Sequence, residues 1–171
     1  MSKKGVGQIT LPEGYAAPAG SIDPQARVGV VASKFNAKIV GKLLDAALET
    51  LAKHGVGPER TSVVLVPGAF ELPLACRKLA EADDVCAVVA LGCVVRGGTP
   101  HFDYVCAEAS RGIMQVMLDT GVPIGFGLLT TDDQKQARAR AGGAHGNKGV
   151  DAAEAALEMA GLLRALSTVP V

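Results

Sequence analysis

The sequence predicts a three-layer α/β/α sandwich around a parallel sheet of four strands, and three observations carry that expectation. From Arg27 onward, apolar runs alternate with segments of helical periodicity. The apolar runs are continuous, as in strands buried on both faces. Glycines and capping residues mark the junctions between them. Right-handed crossovers then put helices on both faces, a flavodoxin-like arrangement.

Arg27 to Ser33 (RVGVVAS) reads as the first strand. The segment from about Ala37 to His54 carries Ile39, Val40, Leu43, Leu44, Ala47, Leu48 and Leu51 at helical spacing, and Gly55 supplies its stop. Thr61 to Val66 is the second strand, with a helix near Glu71 to Ala82. Cys86 to Val95 is the third. Thr99 and Pro100, a favoured N-cap and first helical residue, then open a helix that ends at Thr120 before Gly121. Ile124 to Thr130 is the fourth strand, and Asp132 or Asp133 caps a short helix to about Ala141. A glycine-rich break, Gly142 to Gly149, precedes a last helix from Val150 to Leu166. Residues 1–26 read as an arm with a strand-like piece, Gly7 to Leu11, and a mobile section, Ala16 to Pro24; residues 27–171 form one domain.

The 17 basic and 17 acidic residues balance, with no basic block, which argues against nucleic-acid or membrane-surface binding. No apolar run is long enough to span a bilayer, and MSKKGVGQITLPEG has no apolar core of a secretory signal, so a cytoplasmic location is expected. Cys76, Cys86, Cys93 and Cys106 show no C-x-x-C spacing and are expected as reduced, mostly buried thiols rather than metal ligands. An apolar fraction of 49% without tryptophan hints at surface hidden in a homo-oligomer.

Ligands of parallel α/β sheets bind outside the carboxyl ends of the strands. Three unusual segments fall there: Ser33 to Asn36, Pro67 to Glu71, and Arg96 to His101. Phe35 either stacks on a planar ligand or covers a helix end. Asn36 either bonds a ligand or caps the helix, and position alone favours the cap. Glu71 either accepts bonds from a polyol or amine or sits on the helix dipole. The turn at Gly97, Gly98 and Thr99 either cradles an anion on free backbone N–H groups or is an ordinary connection. Arg96 offers a fixed positive charge beside it, and His101 offers an imidazole suited to moving protons. The turn matches neither a Walker A loop nor a dinucleotide fingerprint. Phe126 lies mid-strand, away from this edge. Arg138, Arg140, His145 and Lys148 cluster at the glycine break, either as solvated loop charges or as residues serving a neighbouring subunit.

SKFN, PGAFELPLA, GCVVRGGTPHFDYVC, GFGLLT and RAGGAHGNKG occur in that order. Together they closely resemble the lumazine synthase family, over roughly Arg27 to Leu166. The resemblance implies condensation of 5-amino-6-(D-ribitylamino)uracil with 3,4-dihydroxy-2-butanone 4-phosphate to 6,7-dimethyl-8-ribityllumazine, with release of phosphate and water and without cofactor or metal. It implies that Phe35 stacks on the pyrimidine, with Asn36 positioning it. Ala69, Phe70 and Glu71 line the ribityl pocket, and backbone at Val94 and Val95 reads the ring edge. Gly98 and Thr99 bind phosphate, and His101 transfers protons. Phe126, Arg140 and Lys148 come from the adjacent subunit of a homopentamer, with Arg140 on the phosphate. Twelve pentamers in an icosahedral shell are expected from the short Gly142–Gly149 segment, with the arm strand pairing to a neighbour's sheet. The rival expectations are an archaeal-type riboflavin synthase and a non-catalytic flavin- or lumazine-binding shell protein. RGGTPHF, Arg140 and Lys148 favour a phosphate-bearing substrate over the first, and the presence of His101 and Arg140 counts against the second.

Overall fold

The structure is a computed structural model that describes residues 9–14 and 16–168. In chain order its elements are β1 (Arg27–Ser33), α1 (Ala37–Lys53), β2 (Thr61–Val66), α2 (Leu72–Ala80), β3 (Val85–Val95), α3 (His101–Thr120), β4 (Ile124–Thr131), α4 (Gln134–Ala139), β5 (Ala141–Gly143), β6 (Gly146–Asn147) and α5 (Lys148–Leu166). Strands β2-β1-β3-β4 form the expected sheet in that order, with every pairing parallel. Helices α1 and α5 cover one face and α2 and α3 the other.

The central strand shows why the apolar runs lack alternation. In β3, Ala87, Val89, Leu91 and Cys93 enter the core under α1 and α5, while Val88 and Ala90 enter the core under α2 and α3. Both sets are buried, so both must be apolar. On α1, Ile39, Val40, Leu43, Ala47 and Leu51 face the first core, the stripe that helical spacing predicts.

The junctions follow capping chemistry. Gly121 ends α3 in the left-handed region at φ 69°, as expected. Asp133, not Asp132, caps α4, with its carboxylate accepting from the Gln136 amide at 2.7 Å. The last helix begins at Lys148, two residues early, because Asn147 accepts from the Gly149 amide at 2.9 Å. Helix α3 begins one residue late. Pro100 holds the N-cap position with helical φ, no side chain caps that end, and the Pro100 carbonyl accepts from the Asp103 amide at 2.9 Å.

Two expectations change. The glycine-rich break is an antiparallel hairpin, β5 with β6, in which Gly142 (φ 96°) and Gly146 (φ 74°) take conformations that side chains disfavour. The arm is not mobile throughout Ala16 to Pro24. Ile22 packs on the core, and Arg164 of α5 donates to the Ser21 carbonyl at 3.2 Å and pairs with Asp23 at 3.7 Å. Gly20 and Gly161 make this possible, since a Cβ on Gly161 would lie 2.1 Å from the Gly20 carbonyl oxygen. Gly7 and Gln8, in the strand-like piece, lie outside the described residues, and among the described residues Ile9 to Leu11 pair with no strand.

Candidate active site

A cavity of about 650 Å³ opens at the carboxyl end of the sheet. The turn after β1 contributes Phe35, and the turn after β2 contributes Gly68, Ala69, Phe70 and Glu71. The end of β3 adds Cys93, Val94 and Val95, the next turn adds Gly97 and Thr99, and the start of α3 adds His101, Phe102, Tyr104 and Val105.

The register creates the central feature. β3 pairs with β1 only as far as Leu91, but with β4 as far as Val95. Beyond Leu91 the side of β3 that faced β1 is therefore an open backbone edge within the cavity. Asn36 takes part of it, donating from Nδ2 to the Cys93 carbonyl at 2.9 Å, while its Oδ1 accepts from Gln134 at 3.3 Å. Asn36 occupies the N-cap position of α1 in the left-handed region at φ 58°, and its side chain caps nothing. The capping expectation thus fails because the amide crosses to β3 instead. Asn36 does not line the cavity.

The turns after β1 and β2 are tied together, with the Lys34 amide donating to the Val66 carbonyl at 2.8 Å and the Phe35 amide to the Pro67 carbonyl at 3.1 Å. Phe35 stands 70% exposed on the cavity wall, so it does not cover a helix end in this chain. Glu71 accepts from the Gly68 amide at 2.8 Å through one carboxylate oxygen. Among the described residues the other oxygen makes no hydrogen bond.

At the far end, the Arg96 amide makes the last ladder bond, to Thr131 at 2.8 Å, before the chain turns. A Cβ on Gly97 or Gly98 would meet nothing within 4 Å, and neither glycine has a left-handed φ. Among the described residues nothing requires glycine there, which fits a backbone kept bare for close approach by a ligand. The Thr99 hydroxyl makes no hydrogen bond among the described residues. Gly97 and Thr99 line the cavity; Gly98 between them does not. The fixed charge expected from Arg96 is not offered to this turn, because two carboxylates, Asp103 and Asp132, hold it.

Phe126, Arg140 and Lys148 do not line this chain's cavity. Phe126 is half-exposed in the middle of edge strand β4. Arg140 donates to the Gln136 carbonyl at 3.1 Å, and Lys148 pairs with Asp151 at 2.6 Å. Phe102, Tyr104, Val105 and Cys93 line the cavity without having been singled out as site residues by sequence, whereas Gly97 was read as part of the anion turn. For His101, Tyr104 and Val105 the signal is helical spacing, which puts all three on one face of the first turns of α3. Burial pushes the Cys93 thiol up to about 11 and the Cys76 thiol up to about 12, so neither is a nucleophile near neutral pH. Among the described residues, no three His, Cys, Asp or Glu side chains gather as a metal set, and no helix is long and apolar enough to cross a membrane.

A flavodoxin-like sheet carrying an aromatic cleft, an open strand edge and a bare glycine turn beside a histidine defines an enzyme acting on small molecules. The family model for 6,7-dimethyl-8-ribityllumazine synthase matches residues 25–164, and the chain belongs to that family. A 6,7-dimethyl-8-ribityllumazine synthase of Desulfovibrio desulfuricans (strain ATCC 27774 / DSM 6949 / MB) is 55% identical over 141 residues, 82% of this chain and 90% of the relative. The chain is therefore a transferase of the lumazine-forming step in riboflavin biosynthesis, which sets aside the riboflavin synthase and scaffold alternatives.

Proposed function

We propose that 5-amino-6-(D-ribitylamino)uracil lies along the open edge of β3 and that 3,4-dihydroxy-2-butanone 4-phosphate sits with its phosphate at the Gly98–Thr99 turn. The open edge beyond Leu91 carries this reading. A uracil ring presents in-plane donors and acceptors that pair with strand backbone at Val94 and Val95, while Phe35 stacks on its face. Ala69, Phe70 and Glu71 then meet the ribityl chain, with the free oxygen of Glu71 accepting from its hydroxyls. Asn36 acts by fixing the Cys93 carbonyl.

The ring amine attacks the ketone and expels water as an imine forms. Enolisation eliminates phosphate, and the second amine closes the new ring with loss of another water. His101 moves protons between nitrogen, oxygen and carbon in these steps. N–H donors at the turn, the Thr99 hydroxyl and Arg140 stabilise the departing phosphate. Holding two substrates together supplies much of the acceleration, since that term alone reaches about 7–11 kcal/mol.

The site needs a neighbour at both ends, Phe126 and Lys148 for the ribitylaminouracil and Arg140 for the phosphate. Arg140, Lys148 and Phe126 lie away from the cavity of their own chain and serve the adjacent subunit of a homopentamer. Exposed Leu74, Tyr104, Met114 and Leu118 on α2 and α3 supply an apolar surface for that contact. The exposed edge of β2, with Val63 and Leu65, suits the arm strand of another subunit. The compact β5–β6 hairpin suits assembly of twelve pentamers into an icosahedral shell, in the cytoplasm, with no nucleic-acid or membrane partner. Mixing the two substrates with the enzyme and following lumazine absorbance and phosphate release tests the reaction. Equimolar formation of both products is expected, and a rate no faster than the uncatalysed mixture contradicts the reading. Sedimentation showing only pentamers at micromolar concentration would remove the shell.

A further inference from the structure

Arg96 stands between β3 and the glycine turn, yet it does not line the cavity. Its guanidinium forks onto Asp103, with Nη2 3.0 Å from Oδ1 and Nη1 donating to Oδ2 at 3.2 Å. Nε donates to Oδ1 of Asp132 at 3.2 Å, and the guanidinium carbon lies 4.1 Å from the centroid of the Phe102 ring. Asp103 and Phe102 belong to the first turn of α3, beside His101. Asp132 belongs to the junction of β4 with α4. There the Asp132 amide donates to the Gln136 side chain at 3.2 Å, and the Gln136 carbonyl accepts from Arg140 at 3.1 Å. One chain of bonds runs from the glycine turn to Arg140.

We propose that Arg96 is a positioning residue that clamps the glycine turn and the start of α3 to α4, so that one set of bonds aims two groups of phosphate donors. The inference rests on the proposed function above, in which the turn serves its own site and Arg140 the next. A single clamp then orients donors in two adjacent sites. The geometry points away from direct anion binding by Arg96, because two carboxylates already neutralise its charge. Pairs this exposed, at 43% for Arg96, 59% for Asp103 and 69% for Asp132, add little stability. A bidentate fork stacked on a ring instead fixes direction, which an ammonium cannot do.

Steady-state kinetics of assembled enzyme test the clamp. Asp132→Asn keeps the Arg96 charge but weakens its tie to α4. The KM for the butanone phosphate should rise about 3- to 10-fold, the effect of losing one exposed charge pair and the alignment it holds. The KM for the ribitylaminouracil should change less than about twofold over the same series. Arg96→Lys should behave like Arg96→Gln rather than rescue it. Combining Arg96→Gln with Asp132→Asn should add little, since both remove one interaction. An unchanged or lower KM for the butanone phosphate in Asp132→Asn would mean that a freed Arg96 binds phosphate itself, overturning the clamp. Equal rises in both KM values would reduce Arg96 to a general structural role and overturn it too. Arg140→Ala, measured alongside, separates the two levels. If it leaves both kcat and the KM for that substrate unchanged, the proposed site fails; if it lowers kcat/KM for that substrate while Asp132→Asn does not, only the clamp fails.

Discussion

The two ends of the cavity are built on different physical terms. The end around Phe35, Glu71 and the edge of β3, which in the proposed function holds the ring with Phe126 and Lys148 of a neighbour, rests on backbone bonds between buried strands and the turns that follow them. The phosphate end rests on surface ion pairs around Arg96 and, in the proposed function, on an arginine from another subunit. Buried ladder bonds resist salt and small perturbations, whereas exposed charges are screened and movable. Recognition of the ring should therefore be robust, and handling of the phosphate should depend on assembly and ionic strength.

The largest break in that contrast is Arg140→Ala. It should lower kcat/KM about 100- to 1,000-fold, as for loss of a donor aimed at developing charge, with the loss concentrated in the butanone phosphate. Phe35→Ala attacks the other end. It should raise the KM for the ribitylaminouracil roughly 10-fold, within the worth of one aromatic stacking contact, and spare the KM for the phosphate substrate. His101→Ala touches chemistry rather than either end. It should slow turnover about 10- to 100-fold, toward or below the lower end of usual acid–base contributions, in stopped-flow traces of lumazine formation. Raising ionic strength should raise the KM for the butanone phosphate a few-fold, by screening over about 10 Å, and leave the KM for the other substrate nearly constant.

The smallest effect concerns the buried thiols. Burial pushes the Cys76 thiol up to about 12 and the Cys93 thiol up to about 11 from the ordinary thiol value of 9.0. Folding thus favours their protonated forms. The stability they lend is fully present below pH 9.0 and is lost as pH rises through about 11 to about 12. Unfolding midpoints should decline across that alkaline range, and Cys76→Ala should flatten the decline.

The strands were legible because both faces of the sheet are buried, so β1 and β2 carry the boundaries read from sequence. Phe35, Glu71, Thr99 and His101 were legible because turns at the carboxyl ends of parallel strands are where ligands bind. What escaped depends on contacts distant in sequence. Asn36 looks like a cap until Cys93 and Gln134 come beside it. Arg96 looks like a free charge until the fold brings up Asp132, 36 residues away. The β5–β6 hairpin reads as a loose glycine break because its left-handed glycines look the same in sequence as a linker. The close approach of Gly20 to Gly161 is likewise invisible without the packed arm.

The claim that the site is shared between subunits is tested most directly by hybrid assemblies. Phe35→Ala chains and Arg140→Ala chains, assayed at subsaturating substrates where each is strongly impaired, are unfolded together and refolded as mixed oligomers of verified mass. If each site takes Phe35 from one chain and Arg140 from its neighbour, random mixing restores about a quarter of the sites to wild-type composition, as a head-to-tail ring requires. Activity should rise well above that of both parents. Activity no greater than the average of the parents would place both residues in one chain's site and contradict the account.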